Sequence, residues 1–81
     1  MVRITLYSRH GCHLCDEMRA VVAAVGRDLP LEADEVDVDT DPALVAAYGE
    51  QVPVLLVNGR KAFKYRVDAA TLRARVRREM A

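Results

Sequence analysis

No apolar run in this chain approaches the roughly 18 residues that a membrane-spanning helix needs, so a membrane partner is not expected. The first strand-like segment, Val2 to Tyr7, begins almost at Met1 and leaves no room for a signal peptide. A cytoplasmic protein is the expectation. There is no tryptophan, and the aromatics are three Tyr and one Phe. That is too few to set stacking platforms among the basic residues, and nucleic acid is an unlikely partner on that ground. No internal repeat, linker or low-complexity segment interrupts the chain, and only two cysteines occur, both within four residues.

What remains is 81 residues, 52% apolar and 30% charged, the balance of a soluble globular domain. The length allows one domain, 1–81, with one modest core. Net charge is zero, yet the signs are segregated. Residues 1–50 hold ten acids against four Arg, and residues 51–81 hold eight bases against Asp68 and Glu79. The simpler reading is two solvated faces that attract each other in the fold. The sharper one is a basic patch from Lys61, Lys64, Arg66, Arg73, Arg75, Arg77 and Arg78 that steers an anionic partner.

Val2, Ile4 and Leu6 alternate with Arg3, Thr5 and Tyr7, the pattern of a strand, and Ser8-Arg9-His10-Gly11 breaks it. From Cys12 the period becomes helical, through Leu14, Met18, Val21, Val22 and Val25, with Gly26 as the stop. Leu31 to Val38 reads as a second strand, and its acidic load suits a sheet edge. Asp41-Pro42 caps a short helix that Gly49 ends. Val52 to Val57, the most apolar stretch, belongs in the centre of the sheet. Asn58-Gly59 signals a tight hairpin that returns through Lys61 to Tyr65. Asp68 is placed as the N-cap of a last helix with Leu72, Val76 and Met80 on one stripe. The order βαβαββα predicts an α/β fold with a mixed four-stranded sheet and helices on both faces.

The cysteines sit in Cys12-His13-Leu14-Cys15. A structural staple closing so small a ring contributes about 2 kcal/mol in the chain-entropy estimate, and a reducing cytosol tends to keep it open. Reactivity explains the spacing better. Residues three apart on a helix bring their Cβ atoms to about 5–6 Å, so a small adjustment closes the bond. Cys12 at the helix start receives orphan N–H groups and the positive dipole end, which favour thiolate over thiol. Arg9, His10 and His13 flank it. Cys15, one turn inside, is the less exposed partner. Cys12 is therefore read as the attacking thiol and Cys15 as the resolving thiol. Asp16 is read as a first-turn residue facing water that could also help move the Cys15 proton.

These residues resemble the thioredoxin superfamily and, within it, the glutaredoxin-like family of small bacterial proteins. The matching segments are Ile4-Thr5-Leu6-Tyr7, Ser8-Arg9-x-x-Cys12-x-x-Cys15, Val36-Asp37-Val38-Asp39 and Gln51-Val52-Pro53-Val54 with its hairpin. The resemblance implies a thioredoxin-like, glutaredoxin-type fold. It also implies a cis Val52–Pro53 bond beside the cysteines, with the backbone before Pro53 binding an extended substrate. Arg9 matches a basic residue that glutaredoxins aim at a glutathione carboxylate, and Asp68 would meet the glutathione amine. The chain departs from the family pattern at His13-Leu14, Gln51 and Tyr65-Arg66, where glutaredoxins carry Pro-Tyr, Thr and a Gly-Gly pair.

The expected function is reduction of protein or glutathione mixed disulfides by the Cys12/Cys15 dithiol. His13, Leu14, Val52, Pro53, Arg66 and Asp68, with Arg9, line the substrate site. No tightly bound cofactor is expected, glutathione is a candidate co-substrate, and the partner is a disulfide-bearing protein or glutathione acting on a monomer. Two other readings stand beside it. One is a redox-inactive partner-binding domain. The other is metal or iron–sulfur binding through the cysteines with the imidazoles of His10 and His13.

Overall fold

The structure, a computed structural model, describes all 81 residues. Strand β1 (Val2–Ser8) leads through a short loop into helix α1 (His13–Asp28), followed by β2 (Leu31–Asp37). A 3₁₀ turn (Val38–Thr40) precedes α2 (Pro42–Tyr48), and β3 (Val54–Val57), β4 (Arg60–Lys64) and α3 (Ala69–Met80) complete the chain. The sheet order is β2-β1-β3-β4. β1 and β2 are parallel, as a crossover through α1 requires, and β3 runs antiparallel to both β1 and β4.

Alternation along β1 decides which side of the sheet each helix covers. Val2, Ile4 and Leu6 are buried on one face, where Met18, Val22 and Val25 of α1 and Leu72 and Val76 of α3 meet Leu55 and Val57 of β3. Each such side chain contributes about 1.5–3 kcal/mol relative to exposure. Tyr7 points the other way and stacks on Tyr48 of α2, with ring centroids 4.6 Å apart. Helices therefore lie on both faces, with α1 and α3 together and α2 alone. This is the thioredoxin-like α/β arrangement.

Element ends differ from the sequence reading by a residue or two, for identifiable reasons. β2 stops at Asp37 because that carboxylate accepts the Asp39 N–H at 2.9 Å and starts the 3₁₀ turn. β3 starts at Val54 because Pro53 has no N–H to give the ladder. The hairpin uses Asn58 and Gly59 alone, both at positive φ, so β4 begins at Arg60 and a one-residue irregularity in register falls opposite Leu55 and Leu56. Its expected last residue, Tyr65, lies outside the strand at φ +69°.

The charge segregation is resolved differently from the simpler expectation. Ion pairs form mainly within the acidic half: Arg3 with Glu32, Arg9 with Asp39, and Arg19 with both Asp16 and Glu35. Only Arg73 with Asp28 joins the two halves. The acidic strand β2 lies at one edge of the sheet and the basic strand β4 at the other, so the two sets do not face each other.

Candidate functional site

The C-terminal end of β1 and the N-terminal end of β3 lie together, because Tyr7 pairs with Val54 in the antiparallel register. β1 leads out through Ser8 to Arg9, and the Cys12 N–H returns to the Arg9 carbonyl at 3.3 Å. Gly11, at φ +74°, supplies the left-handed turn that this loop needs immediately before Cys12. Cys12 is the N-cap of α1, and its sulfur accepts the Cys15 N–H at 3.1 Å. One orphan donor of the helix end is thus satisfied by the sulfur itself. Cys12 is partly exposed, Cys15 is fully buried, and the two are joined as a disulfide with Cα atoms 5.2 Å apart.

The Val52–Pro53 peptide at the start of β3 is cis, and Pro53 is buried. Its carbonyl accepts the Tyr65 N–H at 2.8 Å. Val52 makes no backbone hydrogen bond within the chain and is only partly covered. A segment running past it would find both its N–H and its C=O free.

Leu14, Arg66 and Asp68 come together in one groove of about 390 Å³ between α1 and the β4–α3 corner, with Met18, Val21 and Tyr65. Asp68 is the N-cap of α3, accepting the Thr71 N–H at 2.7 Å. That bond holds its carboxyl below the usual range. His13 is almost fully exposed and does not line this groove, although it approaches Glu17, which does, at 3.7 Å.

Arg9 is not in the groove. Its guanidinium reaches Asp39 at 2.7 and 3.0 Å and the Gly49 carbonyl at 3.0 Å, tying the β1–α1 loop to the 3₁₀ turn and the end of α2. Hydrogen bonding to Asp39 raises the Arg9 pKa and lowers that of Asp39. Asp16, read as facing water, is held by Arg19 at 2.7 Å.

Arg19 also grips both oxygens of Glu35, at 2.6 and 2.5 Å, and Glu35 accepts the buried Ser8 hydroxyl at 2.8 Å. The Arg19 hydrogen bond is the main cause of the depressed Glu35 pKa. The sequence reading missed this link, although pairing β1 with β2 in parallel puts Glu35 beside Leu6, on the α1 side of the sheet. Tyr65, which the sequence marks as a departure from the family pattern but not as a site residue, lines the groove as well. No three His, Cys, Asp or Glu side chains stand close enough to hold a metal ion, so His10 and His13 do not converge with the cysteines.

The comparisons with known proteins agree with this geometry. The sequence profile of the glutaredoxin-like domain (DUF836) matches residues 3–77. Uncharacterized protein Rv0508 of Mycobacterium tuberculosis (strain ATCC 25618 / H37Rv) is 31% identical over 81 positions, spanning 94% of this chain and 84% of that protein. Among solved structures, target protein XcR50 from X. campestris is 39% identical with TM-score 0.75, over 93% of this chain and 96% of that one. Desulfothioredoxin from Desulfovibrio vulgaris Hildenborough, in its reduced form, is 26% identical with TM-score 0.71, over 90% of this chain and 76% of that one. With a thioredoxin-like fold, a C-x-x-C pair opening α1 and a profile match over nearly its whole length, the chain belongs to the glutaredoxin-like domain family (DUF836).

Proposed function

We propose that this protein is a thiol–disulfide oxidoreductase that reduces disulfides through Cys12, with Cys15 as the resolving thiol. The observation that carries the reading is the asymmetry of the pair. Cys12 is partly exposed at the helix cap with a backbone N–H on its sulfur, and Cys15 is buried one turn inside. A sulfur that accepts a backbone N–H at a helix N-terminus is stabilised as thiolate, and thiolate is the attacking species.

In the reduced protein, the Cys12 thiolate attacks one sulfur of a substrate disulfide. That S–S bond breaks, a mixed disulfide forms, and the released thiolate takes up a proton. Cys15, having given up its proton, attacks the Cys12 sulfur and expels the second substrate thiol. The substrate has gained two electrons, and the Cys12–Cys15 bond holds the oxidising equivalent until an external thiol reduces it. The free backbone groups of Val52 would hold an extended substrate in antiparallel fashion during attack.

Protein disulfides are the better-supported substrate class. Arg9 is bound to Asp39 and Gly49 and is not aimed at the groove, and Tyr65 stands in the groove with Leu14. Both features leave less of a glutathione site than the family resemblance implies. The test is to mix the reduced Cys15→Ser variant with a disulfide peptide and look for a covalent adduct by mass spectrometry. An adduct located on Cys12 is expected, together with loss of turnover in Cys12→Ser. Full reductase turnover by Cys12→Ser would overturn the mechanism.

A further inference from the structure

Of the twelve Lys and Arg side chains, five are paired with carboxylates: Arg3, Arg9, Arg19, Arg73 and Arg75. Six of the others lie between residues 60 and 78. Position along the sheet separates those six. β4 runs antiparallel to β3, so Arg60 lies at the end remote from Pro53, whereas Lys64 pairs with Val54, the residue that follows it. Arg77 and Arg78 are in the last turn of α3, which starts at the groove and leads away from it. Lys64 and Arg66 are therefore the cations whose backbone lies nearest the reactive end.

The corner that carries them is unusual. The Arg66 N–H bonds to the Lys64 carbonyl at 2.8 Å around Tyr65, whose φ is +69°. An i to i+2 turn centred on a non-glycine residue at positive φ is rare and strained. It leaves Lys64 and Arg66 exposed beside the Pro53 carbonyl, which accepts the Tyr65 N–H. Arg66 lines the groove that Leu14 of the C-x-x-C segment shares, and Lys64 has its ammonium 5.3 Å from the Tyr65 ring centroid. Two carboxylates, Asp68 and Glu17, share that groove, but neither pairs with Lys64 or Arg66: Asp68 caps α3 and Glu17 approaches His13 at 3.7 Å. Lys61 is also turned toward this end, where it hydrogen-bonds Gln51.

We infer that Lys64 and Arg66 form a docking rim for an acidic segment of a disulfide-bearing protein, whose carboxylates engage the two cations while its disulfide meets Cys12. The inference rests on the reductase reading above for the disulfide, and on charge complementarity for the acid. Net charge is zero but segregated, so attraction for an acidic segment comes from the basic β4 side, where Lys64 and Arg66 carry no carboxylate partner. Such rim contacts act chiefly on encounter rate and are screened by salt, over about 10 Å at 0.1 M.

The test uses the full chain and two cystine peptides of identical core, one flanked by Glu and one by Lys. At low salt the wild-type protein should turn over the acidic peptide with at least a tenfold higher kcat/KM, an advantage that shrinks as salt rises. Lys64→Glu/Arg66→Glu should reverse the preference, and Arg77→Glu/Arg78→Glu, at the far end of α3, should keep it. If the reversed pair does not fold, Lys64→Gln/Arg66→Gln should bring the two peptides to near-equal rates. Equal turnover of both peptides by wild type overturns the docking rim and leaves the reductase intact. If neither peptide is turned over, NMR titration with the acidic peptide, its cysteines replaced by Ser, decides. Shifts confined to Lys64, Arg66 and their neighbours uphold the rim and sink the redox reading. Concentration-dependent self-association abolished by Lys64→Glu/Arg66→Glu would assign the rim to the acidic β2 edge of a second copy and overturn the proposal.

Discussion

Arg9 holds Asp39 through both carboxylate oxygens, at 2.7 and 3.0 Å, and reaches the Gly49 carbonyl with its remaining arm. One side chain thereby fixes three segments that the sheet does not connect: the loop before Cys12, the 3₁₀ turn and the end of α2. Planar two-oxygen pairing is a geometry that Lys does not reproduce. The hydrogen bond from Arg9, followed by its charge, depresses the Asp39 pKa. A carboxylate with a lowered folded pKa adds stability above its unfolded value, and that stability fades as pH falls through the folded value. Asp39→Asn should therefore be less thermostable than wild type at neutral pH, and the gap should close below the ordinary carboxylate range of about 4. Thermal melts of both proteins between pH 7 and pH 2.5 check it. A gap that stays constant with pH would show that the pair contributes packing alone.

Gly49, whose carbonyl Arg9 binds, is itself tightly confined by Val45. A Cβ there would sit 2.6 Å from the Val45 carbonyl oxygen and 3.2 Å from Val45 Cγ1, and the first of these is backbone that cannot swing aside. Gly49→Ala should cost about 1–3 kcal/mol, the usual range for overpacking. That is a large part of the roughly 4–12 kcal/mol expected for a domain of this length. Because Arg9 is bonded to the Gly49 carbonyl, Arg9→Ala should soften the penalty, and a double-mutant cycle by urea denaturation measures the coupling.

Glu35 offers a second pH-dependent link, on the α1 side of the sheet. Arg19 is the chief cause of its lowered pKa, with the Ser8 hydroxyl adding to the effect and burial opposing it. Replacing Arg19 by Gln should move the Glu35 titration upward, read from its side-chain carboxyl resonance by NMR. The accompanying loss of stability at pH 7 should be about 1 kcal/mol or less, since both partners are partly exposed and the pair is screened by water. It should disappear in acid, where Glu35 is protonated in both proteins. An unchanged Glu35 titration in Arg19→Gln would remove the assigned cause.

Local signals explain which parts of this structure could be read in advance. Val2, Ile4 and Leu6 announce a half-buried strand, Asn58-Gly59 a two-residue turn, and Asp41 and Asp68 two helix caps, because each is decided by neighbours a few residues away. The cysteine asymmetry was legible for the same reason, since a helix start differs from its first interior turn. What was not legible depends on pairing over distance. Arg9 has acids throughout residues 16–50 to choose from, and only the path of the 3₁₀ turn selects Asp39. Glu35 meets Arg19 only once β1 and β2 are in register. Tyr65 looked like one more strand residue. Nothing local predicts a left-handed tyrosine, which is held in place by the Pro53 carbonyl across the chain.

That tyrosine makes the last prediction. Left-handed backbone costs a residue with a Cβ roughly 1–2 kcal/mol, a cost that glycine does not carry. Tyr65→Gly should recover this, and the lost ring contacts offset only part of it because the residue is 42% exposed. Its hydroxyl makes just one long hydrogen bond, 3.4 Å to the Glu50 carbonyl. The melting temperature should hold steady or rise by a few degrees, the shift that about 1 kcal/mol gives in so small a domain. Removing the ring also opens the groove beside Leu14, so turnover of a glutathionylated peptide should increase several-fold over wild type while a protein disulfide is reduced at an unchanged rate. Tyr65→Ala keeps the backbone strain and removes the ring. It should gain the same turnover with a lower melting temperature than Tyr65→Gly, which separates the effect of the open groove from that of the relieved turn. If neither variant gains turnover on the glutathionylated peptide, Tyr65 does not restrict the groove, and the left-handed corner serves only to place Lys64 and Arg66.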